Sequence, residues 1–99
     1  MCASTVSSAM LSIIAKEEGF HFEDTLTGFK WIGFRAKELS DEGYKSLFCY
    51  EEAIGFCCGD VVHDKDGISA LGVMTELAYN AYHTHSNLSG YLQNLHNTY

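Results

Sequence analysis

The sequence predicts a small layered α/β domain, with a mixed sheet of about four strands between helices. Three observations carry that expectation. Short continuous or alternating apolar runs recur between segments whose apolar side chains repeat at helical spacing. Turn signals built on glycine separate them. The 99 residues contain no proline, which leaves room for one packed unit, 1–99, and argues against a linker.

The elements follow in order. Residues 2 to 6 (Cys-Ala-Ser-Thr-Val) suit a short strand, and Ser7 or Ser8 then suits the N-cap of a helix that carries Met10, Leu11, Ile14 and Ala15 on one side and stops at Gly19. Phe20 to Thr25 alternates apolar and polar side chains as a half-buried strand does. Thr27-Gly28 turns the chain into a helix with Phe29, Ile32, Ala36 and Leu39 in register. Gly33 inside it weakens that helix by about 1 kcal/mol relative to alanine.

A buried strand at 46 to 50 delivers two adjacent carboxylates, Glu51 and Glu52, into a turn closed by Gly55. Phe56 to Val62 adds an edge strand, and Asp66 in the turn Asp64-Lys65-Asp66-Gly67 caps a helix whose stripe is Leu71, Met74, Leu77, Ala78 and Ala81. Ser86 or Asn87 restarts a last helix with Leu88, Tyr91, Leu92 and Leu95 on one face. That pattern is still running at Tyr99, so the C-terminus reads as cut.

Composition narrows the function. A hydrophobic content of 46% with 13% aromatics excludes disorder. Thirteen acidic against six basic residues, a net charge of −7, argue against nucleic acid and anionic membrane as partners. The N-terminus lacks a basic signal region and no apolar run approaches the roughly 18 to 20 residues that span a bilayer, so a cytoplasmic protein is expected. Cys2, Cys49, Cys57 and Cys58 lack zinc or redox spacing and read as reduced, mostly buried thiols. His83 and His85 lack further ligands nearby, so no metal site is expected.

The chemistry concentrates between Ser46 and Ala70. Carboxylates at a strand end accept hydrogen bonds from sugar hydroxyls, and a lysine beside a helix N-terminus sits where backbone amides favour an anion. Glu51, Glu52 and Lys65 are the candidates for a polyol phosphate. Taken singly they also fit first-turn acids and a surface lysine. The turns at 25 to 30 and 50 to 55 both follow strands, where ligands of layered α/β sheets collect.

TVSSAML, EGFHFEDTLTGFKWIG, LFCYEEAIGF and DKDGISA, in this order and spacing, resemble the third domain of the α-D-phosphohexomutases, in the phosphoglucomutase branch that includes phosphopentomutase and glucose-1,6-bisphosphate synthase. The resemblance implies a parent enzyme of four domains that moves a phosphoryl group between the 1- and 6-positions of glucose phosphate through the bisphosphate glucose 1,6-bisphosphate, with a pentose phosphate as substrate or glucose 1,6-bisphosphate as product the alternatives within the same branch. The phosphoserine, the Mg2+ loop and the distal phosphate grip of such an enzyme lie outside this chain. Residues 86–99 would begin the connection to the fourth domain, and the partners are a sugar phosphate and the other domains of the same chain.

Residue by residue, the resemblance puts Glu51 on the sugar 3- and 4-hydroxyls, Thr27 and Gly28 in a second sugar-facing loop, and Lys65 on the phosphosugar. Ala53 stands where the family usually has a serine, which leaves room for a pentose phosphate. Glu52 either contacts the sugar or supports the loop. Lys30 and Arg35 carry nothing over and read as solvated helix charges, and Trp31 as a packing residue. A stand-alone sugar-phosphate-binding or regulatory module, and a fragment without ligand, are the alternatives to an enzyme domain.

Overall fold

β1 (Cys2–Ser4) is one of the two inner strands in the sheet of the computed structural model, which describes all residues from Met1 to Tyr99. After it come α1 (Met10–Glu18), β2 (Glu23–Thr25), α2 (Phe29–Asp41), β3 (Phe48–Glu51), β4 (Gly55–Cys58), α3 (Gly67–Thr84) and α4 (Leu88–Thr98). The strand order is β2-β1-β3-β4, with β1 parallel to β2 and β3 and β4 antiparallel to β3. The mixed four-stranded α/β sheet expected from the sequence is present.

The crossover from β1 to β2 runs one way across the sheet and that from β2 to β3 the other. The right-handed rule for such crossovers places α1 and α2 on opposite faces. On the α2 face the thiols of Cys2, Cys49 and Cys57, neighbours across three strands, pack with Phe29, Ile32, Ala36 and Leu39. Ile32 is 0% exposed, a burial that contributes roughly 1.5 to 3 kcal/mol. All four cysteines are unbridged, and Cys58 alone is half-buried.

Several boundaries differ from expectation. β2 forms only over Glu23–Thr25, because its partner β1 offers just Cys2–Ser4 to pair with. β3 ends on Glu51, which is therefore a strand residue rather than a turn residue. Ile54, not Gly55, takes the left-handed backbone of the turn, with φ 65°. Ala9 is the N-cap of α1, and Ser8 Oγ instead accepts from the Met10 amide at 3.2 Å. Asn87, not Ser86, caps α4 by accepting from the Gly90 amide at 2.7 Å. Asp66 caps α3 as expected, accepting from the amides of Ile68 and Ser69.

The stripe of α3 is not core. Only Ala81 is buried, whereas Leu71 is 68% and Met74 47% exposed. The reason is that α3 packs along the outer strand β4 and leaves a groove of about 490 Å³ between itself and Phe48, Ile54 and Phe56. Trp31 is likewise exposed, with the Lys30 ammonium 5.2 Å from its ring centre. Arg35 is not a free surface charge: its Nε donates to Glu23 Oε2 at 2.6 Å and its Nη2 to Oε1 at 3.0 Å, tying α2 to β2. No helix is long and apolar enough to cross a membrane.

Candidate functional site

The carboxyl ends of the parallel strands β1, β2 and β3 lie at one edge of the sheet, together with the start of β4. That edge carries the loops 5–9, 26–28 and 52–54, and ligands of open α/β sheets bind in the crevice at such an edge. The Asp66 amide donates to the Phe56 carbonyl at 2.7 Å, which pins the Asp64-Lys65-Asp66 turn beside the first residues of β4.

Glu51 and Lys65 meet there. A Cβ built on Gly55 would stand 2.7 Å from Glu51 Oε1 and 2.9 Å from Lys65 Cδ, so both side chains lie over the bare backbone of this buried glycine. A side chain at 55 would displace Glu51 and Lys65, so glycine here makes room for them rather than serving a special backbone conformation. The Lys65 ammonium lies 5.3 Å from the ring centre of Phe29, the first residue of α2, and 3.1 Å from Asp64 Oδ1. None of the chain's hydrogen bonds or ion pairs ends on the Glu51 carboxylate, so its oxygens keep their acceptor capacity.

Gly28 immediately precedes Phe29 and is the N-cap of α2, with φ 107° and no side-chain cap. That φ favours glycine strongly. The first amides of α2 therefore have no carboxylate over them, and Thr27 and Gly28 stand beside the Phe29–Lys65 contact. The start of α3 is different. There Asp66 itself covers the amides of Ile68 and Ser69, and the Ser69 side chain first, then the Ser69 and Ile68 amides, hold its carboxyl below the usual range.

Glu52 is separated from this group. Its Oε2 accepts from the hydroxyl of Ser4 at 2.6 Å, and Ser4 Oγ lies 2.7 Å from Ser7 Oγ. The structure brings Glu51, Lys65, Gly28 and Thr27 to one edge and turns Glu52 towards β1.

Sequence reasoning missed three participants. Ser4 lies 48 residues from its partner Glu52, and no local pattern announces the contact. The sequence presents Gly55 as a turn residue, although its place two residues before a cysteine buried in β4 makes it part of a packed strand. Gly33 reads locally as a helix weakness, yet a Cβ there would stand 2.0 Å from the carbonyl oxygen of His63, where the loop bearing Lys65 crosses α2. A glycine with no turn to serve, inside a helix with an apolar stripe, was the available signal.

The side chains at this edge offer no metal site, for no group of three or more His, Cys, Asp or Glu converges anywhere in the chain. The Mg2+ that the resemblance implies is not held by these residues.

Comparison with known proteins gives the family. The family model described as phosphoglucomutase/phosphomannomutase, alpha/beta/alpha domain III, matches residues 1–99. A phosphopentomutase of Homo sapiens is 60% identical over 78 residues, 79% of this chain and 13% of the relative. A glucose 1,6-bisphosphate synthase of Mus musculus is 59% identical over 78 residues, again 79% and 13%. A phosphoribomutase of Saccharomyces cerevisiae is 60% identical over 70 residues, 71% of this chain and 11% of the relative. No solved structure matches. The chain spans only 11 to 13% of the length of these relatives. It belongs to the phosphoglucomutase/phosphomannomutase family, as an α/β/α domain III.

Proposed function

We propose that this chain is the sugar-holding domain of a phosphomutase that shifts a phosphoryl group between two positions of a sugar phosphate through a bisphosphate intermediate. The observation that carries the reading is the meeting of Glu51 and Lys65 over Gly55 at the carboxyl edge of the sheet. A carboxylate with free lone pairs accepts from two vicinal hydroxyls, and the ammonium of Lys65, whose stem lies over the same glycine, favours the phosphate end of the same ligand. Vicinal hydroxyls exchange places when the sugar turns around, so one carboxylate serves both orientations. Thr27 and Gly28 present backbone to the sugar from the start of α2, where the helix dipole also favours an anion.

Ala53 leaves the loop one hydroxyl short, and the relatives named phosphopentomutase and phosphoribomutase act on pentose phosphates by name. The preferred substrate is therefore a pentose phosphate, with glucose 1,6-bisphosphate as phosphoryl donor. The phosphoryl-transferring serine and the Mg2+ that polarises the moving group belong to other domains of the parent chain. Four unbridged cysteines fit the reducing cytoplasm.

The test is a domain exchange. This chain replaces the matching segment of the human phosphopentomutase, and turnover of ribose 1-phosphate is followed with glucose 1,6-bisphosphate and Mg2+ present. The exchanged enzyme is expected to turn over and the 99-residue chain alone is not. A well-folded exchanged enzyme without turnover, or turnover by the rigorously purified chain alone, overturns the reading.

A further inference from the structure

We infer that Glu52 is the positioning residue of Glu51: tethered by Ser4, it draws the Glu-Glu loop towards β1 and thereby aims the neighbouring carboxylate at Lys65 and the ligand. The inference rests on the function proposed above and concerns the same site. Three observations lead to it.

The first is direction. β3 lies between β1 and β4, and Glu51 is its last residue. Glu52 reaches to Ser4 at the end of β1, whereas Glu51 lies over Gly55 at the start of β4. The two adjacent carboxylates are thus sent to the strands on either side. Fixing one leaves the other a single direction.

The second is the order of donation in the hydrogen-bond chain. Ser4 is 3% exposed and has one hydroxyl hydrogen. A carboxylate can only accept, so that hydrogen goes to Glu52 Oε2 at 2.6 Å. Ser4 Oγ must then accept from Ser7, whose hydroxyl lies at 2.7 Å. The chain Ser7 to Ser4 to Glu52 has one polarity and ends on a charge, which makes its last link a strong one. It joins the end of β1, the approach to α1 and the loop after β3.

The third is a second tie of the same loops. The Tyr50 hydroxyl donates to the Ser8 carbonyl at 3.0 Å, so β3 is tied to the segment after β1 one residue before Glu51, as Glu52 is tied to Ser4 one residue after it. A loop held at both Tyr50 and Glu52 leaves Glu51 between two fixed points. Glu52 accordingly does not contact the sugar.

The experiment uses the exchanged full-length enzyme and compares variants of Glu52, Ser4 and Ser7 with Glu51→Gln as the reference for the site itself. Glu52→Ala and Ser4→Ala each remove the tether, and each is expected to lower kcat/KM for the sugar phosphate by about 10-fold or more, since a misplacement of the order of 1 Å can cost 10²-fold. The double variant is expected to lose no more than either single one, because the two residues act as a unit. Glu52→Gln and Ser4→Thr keep an acceptor and a donor, and are expected to stay within about threefold of the parent. Should the alanine variants fail to fold, Ser7→Ala carries the test: it leaves Ser4 and Glu52 in place and is expected to cost about 2- to 5-fold with an unchanged melting temperature, a split that a purely structural role would not produce.

Harmless Ser4→Ala and Glu52→Ala beside a damaging Glu51→Gln overturn the positioning role and leave the proposed function standing. A Glu52→Gln as damaging as Glu52→Ala also overturns it, since the sugar would then need the charge of Glu52 itself. A harmless Glu51→Gln would instead strike at the proposed function.

Discussion

The α-carbon of Gly33 faces the carbonyl oxygen of His63 so closely that a Cβ at that position would stand 2.0 Å from it. The loop that carries Lys65 is seated on α2 through this contact. On an isolated helix Gly33→Ala would gain about 1 kcal/mol. Here the obstacle is backbone, which has to move, and overpacking of this kind costs typically 1 to 3 kcal/mol. Gly33→Ala is therefore expected to lower the melting temperature rather than raise it, by roughly 4 to 8 °C for each kcal/mol of net loss in a chain of this size. Thermal unfolding followed by circular dichroism checks the sign.

Acid stability depends on Glu23. The guanidinium of Arg35, hydrogen-bonded through two nitrogens, and then His21 at 2.7 Å hold its carboxyl at about 2, against an ordinary 4.5. A carboxyl lowered by folding stabilises the native state above its ordinary value, and that contribution is lost as pH falls from about 4.5 towards 2. The pair is only partly buried, so solvent screening reduces the contribution of Glu23 to about 1 kcal/mol. Melting temperature recorded from pH 7 to pH 3 is expected to fall by several degrees below pH 4.5. Arg35→Met should start lower at pH 7 and show a flatter acid limb; a limb as steep as in the parent would remove Glu23 from the account.

The groove between α3 and the sheet exposes Ile54, Leu71 and Met74 together. Contiguous apolar surface beyond a few hundred Å² promotes association. The isolated chain is expected to self-associate as its concentration rises, and Leu71→Lys to raise the concentration at which it stays monomeric. Leu71 is already exposed, so that change should alter stability by no more than about 0.5 kcal/mol. Sedimentation velocity on the two proteins decides, and a parent chain that stays monodisperse at millimolar concentration would contradict the expectation.

What the sequence reveals and what it hides divide along physical lines. Periodicity exposes α2 because Phe29, Ile32, Ala36 and Leu39 are buried by one surface, the sheet. The same periodicity in Leu71, Met74 and Leu77 reports apolar residues without reporting what covers them, and here β4 covers them only in part. Strand limits escape because they depend on the partner: the alternation over 20 to 25 is real, but β1 pairs with only three of those residues. Glu51, Gly28 and Lys65 are legible because each sits in a distinctive motif beside a turn. The Ser4–Glu52 and Glu23–Arg35 ties and the Gly33–His63 contact are long-range, and nothing local to either partner foretells them.

The central claim is that Glu51 holds the sugar, and Glu51→Gln in the full-length enzyme tests it most directly. Glutamine preserves size but leaves one neutral acceptor and adds an amide donor, where charge-assisted bonds to two hydroxyls contribute about 1.5 to 3 kcal/mol each. The kcat/KM for the sugar phosphate should fall by roughly 10- to 10³-fold, while hydrolysis of the phosphoenzyme by water stays near that of the parent and Glu52→Gln costs far less. Turnover of Glu51→Gln within about twofold of the parent, or a larger loss from Glu52→Gln than from Glu51→Gln, would contradict the account.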